Sequence, residues 1–389
     1  MPSSSARPLA GIKVLDVSRV VSGPFCTMVL GDLGANIVKV EEPARGDESR
    51  SYGPPFQNGE SAYFLSVNRN KRSIAADLRS NEGRDLVYRL AQAADVFVEN
   101  FRPGTADRLG LGFDTLRQRN AGLVYCSISG FGRSGPDAQR PGYDLIVQGE
   151  AGLMDITGHA DGPPTKVGTS IADLVTGLYA AQAITAALVG RRETGTGQRV
   201  DIAMADAVAS LLMFNAGIYF ATGDSPTRRG NAHPTISPYE TFQAADGWLN
   251  VGVANDKFWT LFCGAIDRPD LMSDPRFAGP SARVNHHPEL VAVLTPILRR
   301  RPRDEWVSIL GAAGVPCGAI RTVAEVCTAP QLQTRSMIFH TAHPTAGDIR
   351  SIATPFRFDD QPPPAPRPPP LLDQHRDEIL RDWSVTGND

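Results

Sequence analysis

The 389-residue sequence lacks the features that mark several common classes of protein. Its five cysteines are scattered and never form a C-x-x-C pair, which argues against a disulfide framework or a zinc site and favours a reducing compartment. The first ten residues have neither the basic start nor the apolar run of a secretory signal. No stretch of about 18 uninterrupted apolar residues predicts a membrane span. We therefore expect a soluble, unprocessed protein of the cytoplasm.

The sequence also lacks a strong excess of charge of either sign and the short motifs of several enzyme classes. Lysine and arginine number 39 against 42 aspartates and glutamates, so the net charge of -3 gives no reason to expect a nucleic acid or membrane partner. The P-loop, zincin and nucleophile-elbow motifs are absent, which disfavours P-loop nucleotidases, zincins and typical serine hydrolases. The seven histidines show no metal-ligand spacing, and we expect no metal.

The first 130 or so residues alternate between strand and helix patterns with short connections. This alternation is typical of a parallel sheet covered by helices, and it predicts a Rossmann-like α/β layer. The predicted strands span residues 12–17, 37–41, 96–98 and 123–128, and the predicted helices span residues 25–33 and 81–94.

Beyond this layer, residues 172–189 and 204–221 are rich in alanine, leucine and glycine, which predicts two largely buried helices. Residues 248–253 alternate like a strand, and mixed helices run from there to about Cys327. The sequence therefore predicts a large α/β domain whose N-terminal part spans residues 1–220, and a smaller α+β domain with linkers over 221–330. The remaining segment, 331–389, contains the proline-rich run 362–370, which indicates an extended connector, and a terminal helix over 374–383.

Asp173 stands out because it begins the first of these apolar helices, in the segment Gly168–Gly177. A carboxylate near a helix N-terminus can simply cap the helix and gain roughly 0.3 to 1 kcal/mol from the helix dipole. The alternative is a nucleophile that attacks an activated acyl carbon, held ionised by the helix N–H groups. The residue pattern alone leaves both interpretations open.

Two basic clusters fall where a strand meets a loop, the place where open α/β sheets bind ligands. The first is Asn68–Ser73 with Asp77–Arg79, and the second is Glu99–Gly104 with Arg108. Lysine and arginine supply positive charge and Phe101 a stacking face, which would suit a phosphorylated adenine cofactor. A solvated surface remains the alternative for both clusters.

Segments along nearly the whole chain resemble the class III CoA-transferases of the CaiB/BaiF type, which include formyl-CoA and carnitine CoA-transferases and are related to the α-methylacyl-CoA racemases. Each segment is weak alone, but together and in order they are specific. The segments are Leu9–Asp16, Ser22–Pro24, Gly34–Glu41, Asn70–Ser73, Val98–Gly104, Gly142–Asp144, the Asp173 segment, Gly195–Gln198, Gly230–Asn231, Gly314–Gly318 and Pro370–Leu372.

The resemblance implies that Asp173 is the catalytic nucleophile of a CoA-transferase that moves CoA from an acyl-CoA donor to a carboxylic acid through aspartyl anhydride and aspartyl-CoA thioester intermediates. Coenzyme A enters as part of the substrate. The resemblance also implies a set of residues that contact CoA. One of them, Tyr143, could instead pack within the fold. Those contacts are Val20, Val21, Ala76, Asp77, Leu78, Arg79, Asn100, Phe101, Arg102, Arg108 and Tyr143.

Two positions favour the transferase over an α-methylacyl-CoA racemase or epimerase. Racemization at the α-carbon needs two acid/base groups, and the racemases have histidine at the position of Tyr143 and glutamate at that of Asn255. A phenol with a pKa near 10 is a poor base at neutral pH, and asparagine does not titrate. A non-catalytic CoA-binding protein is a third alternative.

The resemblance also implies an interlocked, ring-like homodimer in which the segment 331–389 returns to the large domain. The chain departs from formyl-CoA transferase after Gly230–Asn231, because the glycine-rich loop of that enzyme is missing. His233 and Thr235 would face the acyl group there or form a structural turn. The expected partners are an acyl-CoA and a small organic acid, for which we favour a dicarboxylate such as succinate.

Overall fold

The computed structural model describes residues 7–361 and 364–383. The strands are β1 (Lys13–Asp16), β2 (Asn36–Glu41), β3 (Phe56–Gln57), β4 (Glu60–Ser61), β5 (Lys71–Ala75), β6 (Val96–Glu99), β7 (Val124–Ser129), β8 (Arg199–Ala203), β9 (Tyr239–Gln243), β10 (Trp248–Gly252), β11 (Cys317–Ala319), β12 (Ile338–His343) and β13 (Gly347–Ile352).

The helices follow the same chain order, with short 3-10 helices at Glu48–Ser51, Ser210–Leu212 and Pro269–Met272. The α-helices are α1 (Ser22–Asp32), α2 (Ala62–Val67), α3 (Asn81–Ala93), α4 (Thr105–Arg108), α5 (Phe113–Arg119), α6 (Asp144–Glu150), α7 (Ile171–Thr194), α8 (Met204–Ala209), α9 (Met213–Thr222), α10 (Asp256–Ala265), α11 (Pro280–Asn285), α12 (His287–Leu298), α13 (Arg303–Ala312), α14 (Val323–Thr328), α15 (Pro330–Thr334) and α16 (Arg376–Asp382).

The chain divides into two compact units. The first contains the described residues of Met1–Leu153, Lys166–Gly217 and Pro330–Asp389. The second contains Met154–Thr165 and Ile218–Ala329. The short segment Met154–Thr165 therefore belongs to the second unit, whereas the division expected from sequence places it in the large domain.

A six-stranded sheet organises the first unit, with the strand order β5-β2-β1-β6-β7-β8. Every pair of neighbours in it is parallel, which confirms the predicted parallel α/β layer. The central strands are buried along almost their whole length because helices cover both faces, and their Val- and Ile-rich sequences suit that environment.

Besides a small cluster of Leu65, Ala346 and Ile349, the described residues of this unit form two large apolar cores. One includes residues of α1, α7 and α8 with β7, and the other joins α3, α5 and α16. Helices α1 and α7 pack closely because α7 has Gly177 at the contact: a Cβ there would lie 2.8 Å from the Ser22 carbonyl oxygen and 3.0 Å from the Phe25 ring. This packing holds the second turn of α7 against α1.

The C-terminal segment completes the edge of the sheet along β5. The backbone N–H of His375 donates to the carbonyl of Ser73 at 3.1 Å, and the Asp373 carboxylate accepts the N–H of Ala75 at 2.8 Å. Ile379 and Trp383 of this segment are buried among the apolar residues of the sheet.

The second unit is an antiparallel sheet of β9, β10 and β11 with helices packed on it. Its core contains Trp259, Phe262, Phe277 and Trp306, all nearly or fully buried. Strands and helices thus occur together in this unit, as the sequence predicts.

Two elements differ from the sequence-based prediction. The helix expected over 204–221 is interrupted by a 3-10 turn, and Met213 has a positive φ of 36° at the break. The hairpin of β12 and β13 was not predicted. Pro362 and Pro363 of the predicted connector lie outside the described residues, and 364–370 forms no helix or strand.

Two segments, Ile171–Thr194 and Met204–Thr222, are long and apolar enough to cross a membrane by length and composition. The first, which is α7, supplies Ala180, Ala181 and Ile184 to the core of the first unit. Buried core helices have the same composition as membrane spans, so this property carries little weight for α7.

Candidate functional site

The loops that follow β1, β6 and β7 enclose a cavity of about 330 Å³ at the carboxyl edge of the parallel sheet. Ligands bind at this edge in open α/β folds. We call it the Asp173 cavity. Its walls are formed by Arg19, Val20, Val21, Ser22, Glu48, Asn100, Phe101, Arg102, Pro103, Thr105, Ile128, Ser129, Gly130, Arg140, Pro141, Gly142, Tyr143, Asp173 and Met204.

A second cavity of about 560 Å³ lies along the ends of β1, β2 and β5, and we call it the Arg79 cavity. It shares Arg19 and Thr105 with the Asp173 cavity, so the two adjoin. Its other walls are Val17, Ser18, Lys39, Val40, Glu41, Glu42, Ala44, Arg45, Gly46, Asp47, Ala76, Asp77, Leu78, Arg79 and Leu109.

The structure divides the residues expected to contact CoA between these two cavities. The run 76–79 lines the Arg79 cavity, and the others line the Asp173 cavity except for one. Arg108 lines neither: it is exposed on α4 and donates to the Thr105 hydroxyl at 2.9 Å. Its role in binding stays a prediction.

The loop 18–21 forms one wall of the Asp173 cavity and is fixed by side chains from three other segments. The Asn100 amide makes two hydrogen bonds to the backbone of Arg19, at 2.7 and 2.8 Å. Lys39 donates to the Ser18 carbonyl at 2.9 Å, and Asp47 accepts the N–H of Val20 at 3.2 Å. These bonds hold Val20 at a φ of 67°, a strained conformation for a β-branched residue.

Buried ion pairs stabilise the floor beneath this loop. Lys39 lies 2.8 Å from Asp47, and Lys71 lies 3.1 Å from Asp16, with the two lysines and Asp16 fully buried. Burial alone would raise the pKa of Asp47, but the Lys39 ammonium lowers it to about 2. Burial lowers the pKa of Lys71 to about 8, against the opposing effect of Asp16.

The part of the first basic cluster over 68–73 therefore does not act as the sequence suggested, whereas Asp77–Arg79 lines the Arg79 cavity. The side chains of Arg69, Lys71 and Arg72 are buried and paired with carboxylates within the fold, and none of them lines either cavity. They are neither a solvated surface nor ligand contacts. Structural ion pairs form where the spacing of charges indicated a phosphate site.

Asp173 is the third residue of α7, and no side-chain hydrogen bond caps the start of this helix. Within the described ranges no N–H group is found to donate to its carboxylate, so the capping interpretation has no support in the structure. Burial first, and then the negative charge of Asp144, raise the pKa of Asp173 to about 7. The expectation that helix N–H groups hold it fully ionised is therefore wrong: near neutral pH its ionised and protonated forms coexist.

Tyr143 precedes α6 and is 63% exposed within the chain. A side chain with that exposure is not part of the core, so the packing alternative for Tyr143 fails within this chain. Its phenol lies at the wall of the Asp173 cavity.

Several cavity residues were missed by the sequence analysis. Ser129 is the clearest case, because its hydroxyl is buried and has no hydrogen-bond partner among the residues described. It ends β7, and a position at the carboxyl end of a predicted parallel strand was the signal available in the sequence. Arg19 and Arg140 also line the cavity, but they lie in loops that carry no periodic pattern.

Three further residues from the sequence analysis lie in the second unit. Asn255 precedes α10 and caps it by accepting the N–H of Phe258 at 3.0 Å. The imidazole of His233 accepts the N–H of Thr235 at 3.2 Å, so the two form a local turn. Whether they also contact an acyl group stays a prediction. Across 7–361 and 364–383, no group of three or more His, Cys, Asp or Glu side chains is arranged to hold a metal ion.

Comparisons with known proteins agree on one relationship. Residues 9–376 match the sequence profile of CoA-transferase family III. Succinyl-CoA:glutarate CoA-transferase from Homo sapiens is 38% identical over 379 residues, covering 97% of this chain and 86% of that protein. Succinyl-CoA:mesaconate CoA-transferase from Haloarcula hispanica is 39% identical over 394 residues, covering 97% and 96%.

A solved structure gives the same result for the fold. The crystal structure of a CaiB/BaiF family protein from Brucella suis matches this chain with a TM-score of 0.87 and 42% sequence identity. The match covers 97% of this chain and 99% of that one.

Proposed function

The chain belongs to CoA-transferase family III and is an enzyme of that class, and we propose that Asp173 carries the transferred group. The observation that carries this proposal is the position of Asp173: a half-buried carboxyl with no capping role, in the wall of a cavity at the carboxyl edge of the sheet. A carboxylate there can attack the carbonyl carbon of a bound thioester.

In the proposed first half-reaction, a carboxylate oxygen of Asp173 attacks the carbonyl carbon of the donor acyl-CoA. The carbon–sulfur bond breaks, CoA leaves as a thiolate, and a mixed anhydride joins the acyl group to Asp173. The thiolate then attacks the aspartyl carbonyl carbon. The donor acid leaves as a carboxylate, and Asp173 is left as a CoA thioester.

The second half-reaction reverses these steps with the acceptor acid. The acceptor carboxylate attacks the aspartyl thioester and releases CoA thiolate, giving a new anhydride. The thiolate attacks the acceptor carbonyl of that anhydride, which forms the product acyl-CoA and restores the Asp173 carboxylate. Water is neither consumed nor produced, so any water that reaches either intermediate diverts the reaction to hydrolysis.

We propose that CoA lies along both cavities, with the thioester in the Asp173 cavity and the nucleotide part in the Arg79 cavity. The shared residues Arg19 and Thr105 make the two cavities adjacent, as an elongated ligand requires. Arg45 and Arg79 supply positive charge at the outer cavity, although Arg79 also lies 3.1 Å from Asp77. Lys39 also lines it but is already paired with Asp47.

For the acids, we propose succinyl-CoA as donor and a small dicarboxylate as acceptor. The relatives named above are transferases of glutarate and mesaconate with succinyl-CoA. Arg19, Arg102 and Arg140 line the Asp173 cavity. Arg19 lies 3.7 Å from Glu48 and Arg140 lies 2.6 Å from Glu150, so we propose Arg102 as the partner of the second carboxylate of such a substrate.

We further propose an interlocked homodimer in the cytoplasm that needs no metal. Large apolar side chains remain exposed along three helices of the single chain, and contact with a second copy would bury them. They are Leu178, Tyr179 and Val189 of α7, Met213, Phe214 and Phe220 of α9, and Leu145 and Ile146 of α6.

The proposed function is tested by incubating the protein with succinyl-CoA, trapping with hydroxylamine or borohydride, and locating the adduct by mass spectrometry. We expect modification at Asp173 in the native enzyme and none in Asp173→Asn. Glu193→Gln, an exposed carboxylate near the other end of the same helix, is the matched control and should react normally. An adduct elsewhere, or none with any acyl-CoA, would overturn the assignment.

The racemase alternative is tested with 2-methylacyl-CoA in deuterated water. Because Tyr143 and Asn255 replace the acid/base pair of the racemases, we expect no deuterium at the α-carbon on the timescale of transfer. Incorporation at catalytic rates would favour the racemase. A protein that binds acyl-CoA without transfer or exchange would be the non-catalytic alternative.

A further inference from the structure

The segment that leads into Asp173 has no regular structure of its own. Residues 167–170 precede α7 as a bend, half-buried or exposed. The start of α7 lacks a side-chain cap, so the position of Asp173 depends on what holds this segment from outside.

Two side chains of α6 hold it through a continuous set of three hydrogen bonds. Asp144 accepts the N–H of Ala172, the residue before Asp173, at 2.9 Å. The other oxygen of Asp144 accepts from the Gln148 amide nitrogen at 2.7 Å. The amide oxygen of Gln148 accepts the N–H of Val167 at 2.9 Å.

The direction of each of these three hydrogen bonds, from donor to acceptor, is fixed. Gln148 is fully buried, so its amide cannot rotate to exchange oxygen for nitrogen without losing both partners. Its oxygen must face Val167 and its nitrogen must face Asp144, which therefore has to be an acceptor on both oxygens. A carboxylate at position 144 and an amide at position 148 satisfy every group.

We infer that Asp144 and Gln148 are positioning residues, which fix the segment 167–172 and thereby aim the Asp173 carboxylate into its cavity. This inference rests on the proposed role of Asp173 and names the residues that prepare it. Neither residue lines the cavity, so neither is expected to touch the substrate.

Asp144 has a second effect through its charge, because it lies close enough to Asp173 to raise the pKa of that carboxyl. The other charged or titratable groups at the Asp173 cavity are Arg19, Glu48, Arg102, Arg140 and Tyr143. Burial is the larger cause of the raised pKa. Removing the charge at 144 should therefore lower the pKa of Asp173 only in part.

The fixed directions of these hydrogen bonds allow a sharp test with two single variants and their combination. In Asp144→Asn, the new amide nitrogen meets the Gln148 amide nitrogen, so two donors oppose each other. In Gln148→Glu, two carboxylates oppose each other. In the double variant, the introduced glutamate accepts from Val167 and from the introduced amide nitrogen at position 144, whose own oxygen accepts from Ala172. All three bonds then form again, with the charge moved to position 148.

We expect each single variant to lower kcat by about 10- to 100-fold with little change in KM for succinyl-CoA, since misplacing a reacting group by about 1 Å costs that much. The kcat of the double variant should be about tenfold higher than that of the worse single variant, as expected for residues that share a hydrogen-bond network. Asp144→Asn should also move the midpoint of the pH–activity profile down, and Glu193→Gln should change neither quantity.

Thermal unfolding of all variants separates loss of positioning from loss of fold. If Gln148→Glu does not fold, the comparison of Asp144→Asn with the double variant decides the question. Unchanged kcat in the folded single variants, or a double variant no better than the worse single one, would overturn the inference. Absence of an Asp173 adduct in the native enzyme would instead overturn the proposed function, so the two failures are distinguishable.

Discussion

At the scale of single residues, the environment of Asp173 sets its chemistry more than its position on the helix does. Burial and the neighbouring Asp144 make the carboxyl a weak acid, with a pKa of about 7 against an ordinary value of 3.8. A weaker acid gives a more nucleophilic carboxylate, but only the ionised fraction can attack. The same features that favour attack therefore make the rate depend on pH.

The pH dependence of kcat/KM for succinyl-CoA follows from this pKa. Below about pH 7 the protonated carboxyl predominates, so kcat/KM should fall by about tenfold for each further pH unit and level off above pH 7. Steady-state rates between about pH 5.5 and 8.5, with the stability of the fold checked at each pH, measure this. A profile that is flat across the acidic half of this range would contradict it.

Ser129 allows a second prediction, because its buried hydroxyl has no partner among the described residues and lies at the cavity. If a bound substrate supplies that partner, Ser129→Ala should lower kcat/KM by about 5- to 10-fold, the value of one hydrogen bond, and leave stability nearly unchanged. Ser129→Thr, which keeps the hydroxyl, should retain more activity.

The matched control is Ser127→Ala, two residues earlier on the same strand. The Ser127 hydroxyl donates to Glu99 at 2.6 Å, so its loss should cost about 1 kcal/mol in the free energy of unfolding. A Ser129→Ala variant with lower stability and normal activity would show that this hydroxyl has a structural role instead.

The family resemblance implied the proposed nucleophile, Asp173, whereas the residue pattern misassigned the charges of the first basic cluster. Lys71 and Arg72 follow a loop, as ligand-binding cations do, yet Lys71 pairs with Asp16 and Arg72 with Glu378 and Asp382. The last two are about 300 positions away in the chain. No local pattern reveals that a cation will be neutralised by a segment so distant.

At the scale of elements, the short helix α16 packs against the first unit through one apolar face. Ile379 is fully buried and Trp383 nearly so, whereas Arg381 between them is exposed. We expect Ile379→Ala to lower the free energy of unfolding by about 2 to 4 kcal/mol, through lost burial and the cavity left behind.

Chemical denaturation of Ile379→Ala beside Arg381→Ala measures this difference. The exposed control should change stability by no more than about 0.5 kcal/mol. Equal effects in the two variants would mean that α16 is not held to the sheet through its apolar face.

Periodicity predicted most elements of the parallel sheet because buried strands and long apolar helices have strong patterns. The bounds expected for the helix over 81–94 and the strand over 37–41 differ from α3 and β2 by one residue. The break between α8 and α9 escaped prediction because it occurs at Met213, a residue with no turn preference. The β12–β13 hairpin escaped prediction for a different reason. Only one residue of each strand is buried, so neither strand shows a strong apolar pattern.

At the scale of the whole molecule, the exposed apolar residues lead to a prediction about assembly. Phe220 is 81% exposed and Met213 is 74% exposed, and we expect a second copy of the chain to bury them. Sedimentation should give a mass near twice 41.8 kDa. Met213→Lys with Phe220→Lys should weaken the dimer, while Asp85→Lys at an exposed position of α3 should not.

A native protein that sediments as a monomer at micromolar concentration would contradict the homodimer. A dimer unaffected by the paired lysine substitutions would instead place its interface elsewhere on the chain.

The division of the chain could be predicted only in outline, because a domain boundary shows in sequence as a change of pattern. The pattern changes after Gly230, within the larger part of the second unit, Ile218–Ala329. The segment Met154–Thr165 also belongs to that unit but is a turn-rich loop without a pattern, so nothing in it indicated the assignment. The cavities likewise are formed by loops, whose positions depend on the strands that carry them.

The edge of the large sheet has a consequence for how the chain is made. Strand β5 exposes one row of backbone groups, and residues 367–376 satisfy them through Asn70, Ser73 and Ala75. On the ribosome, those residues emerge almost 300 positions after the strand they cover. For most of its synthesis the nascent chain therefore exposes the unpaired backbone groups of β5. These groups can pair with a strand of another nascent chain on the same messenger RNA. Translation that stops early would leave a product prone to aggregate, whatever the state of its active site.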